Sequence, residues 1–215
     1  MPGRSKQHKF AEMQTFSNVY QFDKTKKGNW AREVFKNNNP ITIETGCGKG
    51  DYCLALAKQY PDRNFIGIDV KGARLWAGAK KALAANLTNV AFLRIQIDHI
   101  AEYFDKNEVS NIWITFPDPF LKKSKSKKRL TSLKFLQLYQ QVLKPASIIN
   151  FKTDSPDLYN FTLDTLNENK FNIIRTTDNL YTSGWTDDYL FIKTHYEKMH
   201  LANGLTIKYV EFKIN

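Results

Sequence analysis

Three observations predict an α/β fold in which a mostly parallel sheet is covered by helices on both faces. Short apolar segments rich in β-branched residues alternate along the chain with segments of helical period. The first of these strands, Ile41 to Thr45, runs into three glycines at alternate positions, Gly46, Gly48 and Gly50, and then into a helix from Asp51. The next strand, Asn64 to Ile68, ends in an acid, Asp69, about twenty residues after the loop. Glycines suit such a loop because a β-carbon would block positive φ values and the approach of a ligand to backbone N–H groups at the helix start. Asp69 is placed to accept hydrogen bonds from the hydroxyls of a ribose. Together they propose an adenosine-containing cofactor over the carboxyl ends of the strands.

The remaining elements follow in order. Residues 1–29 read as a basic, mostly extended arm, with Phe10, Phe16, Tyr20 and Phe22 among the charges, that packs on the domain or contributes to RNA binding. A single domain is expected over 30–215. Trp30 to Phe35 suggests a short helix, and the Asn37-Asn38-Asn39-Pro40 run breaks the chain before the first strand. Gly72 to Asn86 reads as a helix, Val90 to Ile95 as a third strand, Ile100 to Phe104 as a short helix and Asn111 to Thr115 as a fourth strand. An amphipathic helix over Ser132 to Leu143 is stopped by Pro145. Ser147 to Phe151 is a fifth strand, Leu158 to Leu166 a helix and Phe171 to Thr176 a strand. Tyr189, Ile192, Tyr196 and Met199 then recur at helical spacing up to Asn203-Gly204, and Leu205 to Ile214 alternates as a last strand. The βα alternation implies right-handed crossovers. The return through a helix lets the last strand lie antiparallel.

Composition narrows the class. The chain has 215 residues, 42% of them hydrophobic, with no apolar run long enough to span a membrane and no secretory leader pattern around Arg4, Lys6 and Lys9. A soluble cytoplasmic protein, monomer or homodimer, is the expectation. Its two cysteines, Cys47 and Cys53, form no C-x-x-C and have no histidine cluster beside them, so they are expected to be reduced and structural, with no metal site. The net charge of +11 points to a polyanionic partner.

Spacing selects among cofactors. The glycines fall as G-x-G-x-G rather than the dinucleotide G-x-G-x-x-G, and Glu44 stands just before them. A carboxylate there would repel a pyrophosphate but suits a ligand carrying an ammonium and a sulfonium. The E-x-G-x-G-x-G pattern resembles motif I of S-adenosylmethionine-dependent methyltransferases.

A second constellation follows the fourth strand, in FPDPFLKKSKSKKRL. Six of the eight residues from Lys122 to Arg129 are basic. At the carboxyl end of a strand, Lys122, Lys123, Lys125, Lys127, Lys128 and Arg129 would lie beside the cofactor and meet a nucleic-acid backbone. Asp118, between Pro117 and Pro119, and Asp154, after the fifth strand, flank the same crevice. Two such acids can bind a divalent cation, but no histidine or third acid converges on them. Their alternative is the guanine edge, whose N1–H and exocyclic amine are adjacent donors matched by a carboxylate.

The motifs GCGKG, GIDVKGARLW, FPDPFLKK with KKRL, FKTDSPDLY and the late T-H-Y-E together resemble the bacterial tRNA (guanine-N7-)-methyltransferases over nearly the whole chain. The resemblance implies a Rossmann-like class I methyltransferase with a seven-stranded, mostly parallel sheet whose last strand is antiparallel. It implies methyl transfer from S-adenosylmethionine to N7 of a guanine in the variable loop of tRNA. By motif, Glu44, Gly46, Gly48, Gly50 and Asp69 would contact the cofactor. Asp118 would bridge cofactor and guanine as the catalytic residue, and Lys122, Asp154 and the segment Thr194, His195, Tyr196 and Glu197 would contact the substrate. Thr194 and Glu197 would share one face of a helix. Two departures stand out. Where the family usually has Asp-Pro-Trp-Pro this chain has Asp118-Pro119-Phe120-Leu121, and at the third strand's end, where an acid often faces the adenine, it has Gln96, with Asp98 two residues on. The Gln96 amide oxygen can still accept from the adenine amine.

Three other readings share parts of this pattern. An exocyclic-amine methyltransferase favours Asn/Asp-Pro-Pro-aromatic, an order that Pro117-Asp118-Pro119-Phe120 does not give. A nicotinamide dehydrogenase disagrees with the glycine spacing, and a non-catalytic RNA-binding module has no use for Glu44, the glycines and Asp69 together.

Overall fold

The computed structural model describes residues 5–214; Met1 to Arg4 and Asn215, which include the first residues of the expected arm, lie outside it. The described strands form one sheet of eight in the order β1-β4-β3-β2-β5-β6-β8-β7. β2 (Ile41–Thr45), β3 (Asn64–Ile68), β4 (Val90–Arg94), β5 (Val109–Thr115) and β6 (Leu143–Thr153) run parallel. β8 (Lys208–Lys213) lies antiparallel between β6 and β7 (Asn172–Thr177). The sheet therefore has one strand more than the seven expected.

The extra strand comes from the supposed arm. Val19–Gln21, β1, pairs parallel with β4 at the sheet edge. Before it, α1 (Lys6–Met13) starts at Ser5, whose Oγ accepts from the His8 N–H at 3.2 Å. α1 lies on α3 (Gly72–Ala84): Glu12 accepts from Trp76 Nε1 at 3.0 Å and pairs with Lys80 at 2.6 Å. Gly72 leaves room for the Phe10 ring, which a β-carbon there would approach to 2.5 Å. Asn18 Nδ2 donates to the Ala79 carbonyl at 3.1 Å. Residues 5–29 are thus built into the domain rather than laid along it. Their helix is missed by periodicity because its stabilising contacts are with Gly72, Trp76 and Lys80, some sixty residues away.

α2 (Asp51–Gln59) and α3 cover one face of the sheet; α4 (Leu133–Gln140) and α5 (Pro156–Glu168) cover the other. Trp30 heads a single π-helical turn, Trp30–Val34, fully buried with its indole donating to the Tyr103 carbonyl at 2.8 Å. Pro145 falls inside β6, where the pairing with β5 shifts register, instead of merely ending a helix. The expected long helix from Tyr189 is broken: Asp188–Phe191 is a 3-10 turn, and α6 (His195–Ala202) starts only after Thr194. β2 has β3 on one side and β5 on the other, so successive strands leave it in opposite directions and open a crevice above their carboxyl ends.

Candidate active site

The glycine loop sits at that crevice. Gly46, Gly48 and Gly50 have φ of 69°, 58° and 67°, the left-handed region that favours glycine. At Gly50 space is short as well, since a β-carbon would lie 2.5 Å from the Phe92 ring. Asp69 holds the loop: its Oδ2 accepts from the Gly48 N–H at 2.9 Å and its Oδ1 from the Lys71 N–H at 2.7 Å. Each carboxylate oxygen keeps a further lone pair.

Glu44 lies beneath the loop. Only 2% exposed, it accepts from Thr115 Oγ1 at 2.6 Å and from the Cys53 N–H in the first turn of α2 at 3.1 Å. It therefore caps a helix as well as facing a ligand. Desolvation is the larger influence and raises its carboxyl from 4.5 to about 7, with those hydrogen bonds opposing.

Two adjoining cavities occupy the crevice. The larger, about 910 Å³, is lined by Asp69, Gln96, Ile97, Asp118 and Lys128 among others. The smaller, about 90 Å³, lies over the start of α2 against Glu44, Gly48, Thr194, His195 and Tyr196. Gly46, Arg74 and Phe116 border both. Asp98 also reaches the larger cavity, where its carboxylate pairs with Lys134. Among the described residues, no group of three or more His, Cys, Asp or Glu side chains is placed to hold a metal ion.

The loop that carries Asp118 is strained and clamped. Phe116 and Phe120 have φ of 48° and 40°, unusual for bulky side chains. Asp118 is exposed, and its Oδ1 accepts from the Phe120 N–H at 3.1 Å. Arg129, expected to meet RNA phosphate, is instead 7% exposed. Its guanidinium donates to the carbonyls of Pro119 and Phe120 at 3.0 and 3.2 Å and lies over the Phe161 ring. It fixes the Asp118 turn from behind. Lys122, Lys123, Lys125, Lys127 and Lys128 are exposed, and the last four of them, with Ser124 and Ser126, form a 3-10 segment, Lys123–Lys128.

The late segment is organised differently from its expectation. Thr194 is the N-cap of α6, its Oγ1 accepting from the Glu197 N–H at 3.1 Å. Glu197 is fully buried. Its carboxylate pairs with the Lys152 ammonium at 2.7 Å and accepts from the Tyr181 hydroxyl at 2.9 Å. Both charged side chains of the pair are 0% exposed, so in this arrangement Glu197 offers nothing to a substrate directly. Lys152 Nζ also donates to the Leu190 carbonyl at 2.8 Å, and the Phe116 N–H donates to the Lys152 carbonyl at 2.9 Å. Burial pushes the ammonium below its usual range while Glu197 pulls it back. His195 and Tyr196 are exposed beside the smaller cavity.

Asp154 lines neither cavity directly. Its carboxylate faces His200 at 3.5 Å, and the His200 ring stacks on Phe116 at 5.7 Å between centroids. Phe116 thereby joins Asp154 to the cavity rim. Lys152 and His200 belong to this candidate site by their contacts with Glu197, Asp154 and Phe116, and their residue types alone did not single them out. A lysine directly after the largely apolar segment Ile148-Ile149-Asn150-Phe151 was the available sign for the first, because a buried ammonium requires a partner.

Comparison with known proteins follows the same lines. A family described as "Putative methyltransferase" matches residues 38–210. Solved structures share the fold. A structure described as an antibiotic-related methyltransferase has a TM-score of 0.61 at 20% identity, covering 92% of this chain and 96% of that one. The 16S rRNA methyltransferase KamB has a TM-score of 0.62 at 12% identity, covering 86% and 92%. Sequence relatives are more similar. A tRNA (guanine-N(7)-)-methyltransferase of Christiangramia forsetii is 44% identical over the full length of both chains. That of Bacteroides fragilis is 44% identical over 98% of this chain and 86% of its own, and that of Clostridium novyi 39% over 87% and 86%. With a class I methyltransferase fold, a glycine loop closed by Asp69 and relatives matched end to end, the chain belongs to the tRNA (guanine-N(7)-)-methyltransferase family.

Proposed function

We propose that this chain transfers a methyl group from S-adenosylmethionine to N7 of a guanine in the variable loop of tRNA, in the cytoplasm. The observation that carries the reading is the juxtaposition of the glycine-loop cavity with a flexible-stemmed array of exposed lysines across the Asp118 turn. The residues present fit the cofactor. Asp69 has lone pairs left for ribose hydroxyls, Gln96 borders the part of the larger cavity suited to an adenine, and Glu44 supplies the acid for an ammonium. S-adenosylmethionine supplies an electrophilic methyl carbon on a sulfonium.

Guanine N7 already carries a lone pair, so no residue is required to remove a proton before attack. What the protein contributes is alignment and charge. Asp118, on a turn held by Arg129, is suited to hold the guanine donor edge at the rim of the larger cavity. Its carboxylate also favours the positive charge that moves onto the purine. Asp154 supports the same purine from the Phe116 side, with His200 beside it. Lys122, Lys123, Lys125, Lys127 and Lys128 are suited to phosphates, in a binding mode that weakens as salt rises. Thr194 and Glu197 serve this reading by shape, as the cap and anchor of the segment that presents His195 and Tyr196. An exocyclic-amine methyltransferase has no comparable support, since Pro119 is followed by Phe120 and no second proline.

Incubating the protein with labelled cofactor and unmodified tRNA should place label on guanine N7 in the variable loop; label on adenine or cytosine would refute the proposal. Asp118→Asn and Asp154→Ala should lower kcat on tRNA by roughly ten- to a hundredfold while leaving cofactor Kd within about twofold. Unchanged kcat at saturating tRNA in both variants would remove the guanine-holding role. Glu44 gives a pH dependence. Its carboxyl is raised in the fold from 4.5 to about 7, so the unliganded protein should lose stability as pH rises across that window. A cation bound beside it lowers the value again and expels a proton. Cofactor affinity measured by calorimetry should therefore increase from pH 6 to pH 8, and Glu44→Gln should flatten the profile. A flat profile in the unaltered protein would show that no cation faces Glu44.

A further inference from the structure

Arg74 stands apart from the other described arginines. Arg32 bonds Asn29, Arg63 lies over Tyr60, Arg94 bonds Gln21, Arg129 clamps the Asp118 turn and Arg175 pairs with Asp187 and Glu211. The Arg74 side chain has no hydrogen-bond, ion-pair or ring partner among the described residues, although it is half-buried. It is the third residue of α3, whose first turn contains no acid. A helix start already carries partial positive charge, so a cation there is unfavourable until an anion joins it. A local conflict of this kind, kept at a crevice, marks a place where a ligand completes the structure.

Position narrows the ligand. Arg74 borders both cavities, at the point where they meet across Gly46. Asp69 and Gln96 give the larger cavity to the adenosine end, which directs the amino-acid end of the same molecule toward the smaller one. That end is a zwitterion, and of the two acids on the smaller cavity Asp51 is paired with Lys81 at 3.3 Å, which leaves Glu44 for the ammonium. The complementary group, for its carboxylate, is a guanidinium, whose planar fork matches two carboxylate oxygens. An RNA phosphate is the rival anion. The exposed lysines of 122–128 already serve phosphate at the outer rim, whereas Arg74 is half-buried within the crevice.

We infer that Arg74 is the cofactor-binding residue that pairs with the methionyl carboxylate of S-adenosylmethionine. The inference rests on the cofactor reading given above. Its test is equilibrium binding to the whole chain of three probes: S-adenosylhomocysteine, decarboxylated S-adenosylmethionine and 5′-methylthioadenosine. The last two lack the carboxylate. Arg74→Ala should weaken S-adenosylhomocysteine by roughly ten- to a hundredfold, as expected for loss of a charge-assisted pair. Arg74→Lys should lose less. The two probes without a carboxylate should bind the alanine variant as well as they bind the unaltered protein, which also shows that the variant is folded. Equal losses on all three probes would overturn the assignment, and so would unchanged S-adenosylhomocysteine affinity accompanied by a higher KM for tRNA. If the unaltered protein bound none of the probes, the cofactor reading itself would fail.

Discussion

A single buried ion pair holds together the part of this molecule that lies beside Phe116 and Asp154. Lys152, two residues before Asp154 on β6, meets Glu197 on α6 at 2.7 Å with both side chains fully removed from solvent. Such a pair gains little over an apolar contact of the same shape, but removing one partner leaves a charge stranded, at about 3–5 kcal/mol. Its value here is specification. The ammonium gathers the Leu190 carbonyl, Glu197 gathers the Tyr181 hydroxyl, and Thr194 caps the helix that carries Glu197. Three separate stretches of chain are thereby fixed against the end of β6, next to Phe116 and Asp154.

The cofactor side is built on other terms. There the backbone itself makes the surface: three glycines at positive φ, tied by Asp69 and underlain by Glu44. The turn bearing Asp118 lies between the two halves and is the strained part, with Phe116 and Phe120 both at positive φ. Arg129 offsets that strain by donating to two carbonyls of the turn. A basic run that looks uniform in sequence thus divides by environment, its lysines facing solvent and its arginine turned inward.

Much of this was legible in the residues. The glycine spacing, Glu44 and Asp69 are local signals, each requiring only neighbours in sequence to be interpreted, and the structure brings them together. β2 to β6 could be read because strands buried on both faces are continuous apolar runs. What escaped depends on distant contacts. The helix and strand within residues 5–29 are stabilised by α3 and β4, and KQHKFAEM alone has too few apolar residues to declare a helix. Glu197 and Arg129 carry charges, and a charge in sequence suggests solvent or ligand. Only the fold shows that one meets Lys152 and the other a pair of carbonyls. The break before α6 has the same origin, because the carbonyl of Leu190 is turned to Lys152 rather than along a helix.

The claim that one ion pair organises the rim beside Asp154, the rim proposed to meet RNA, is tested most directly by a double-mutant cycle on Lys152→Met and Glu197→Leu. Unfolding free energy and kcat/KM for tRNA would be read for each variant. The pair should couple by at least about 2 kcal/mol in stability, with the double variant closer to the unaltered protein than either single one. In the singles, kcat/KM for tRNA should fall while cofactor Kd changes little. Additive stability effects, or a folded single variant with undiminished kcat/KM for tRNA, would contradict it.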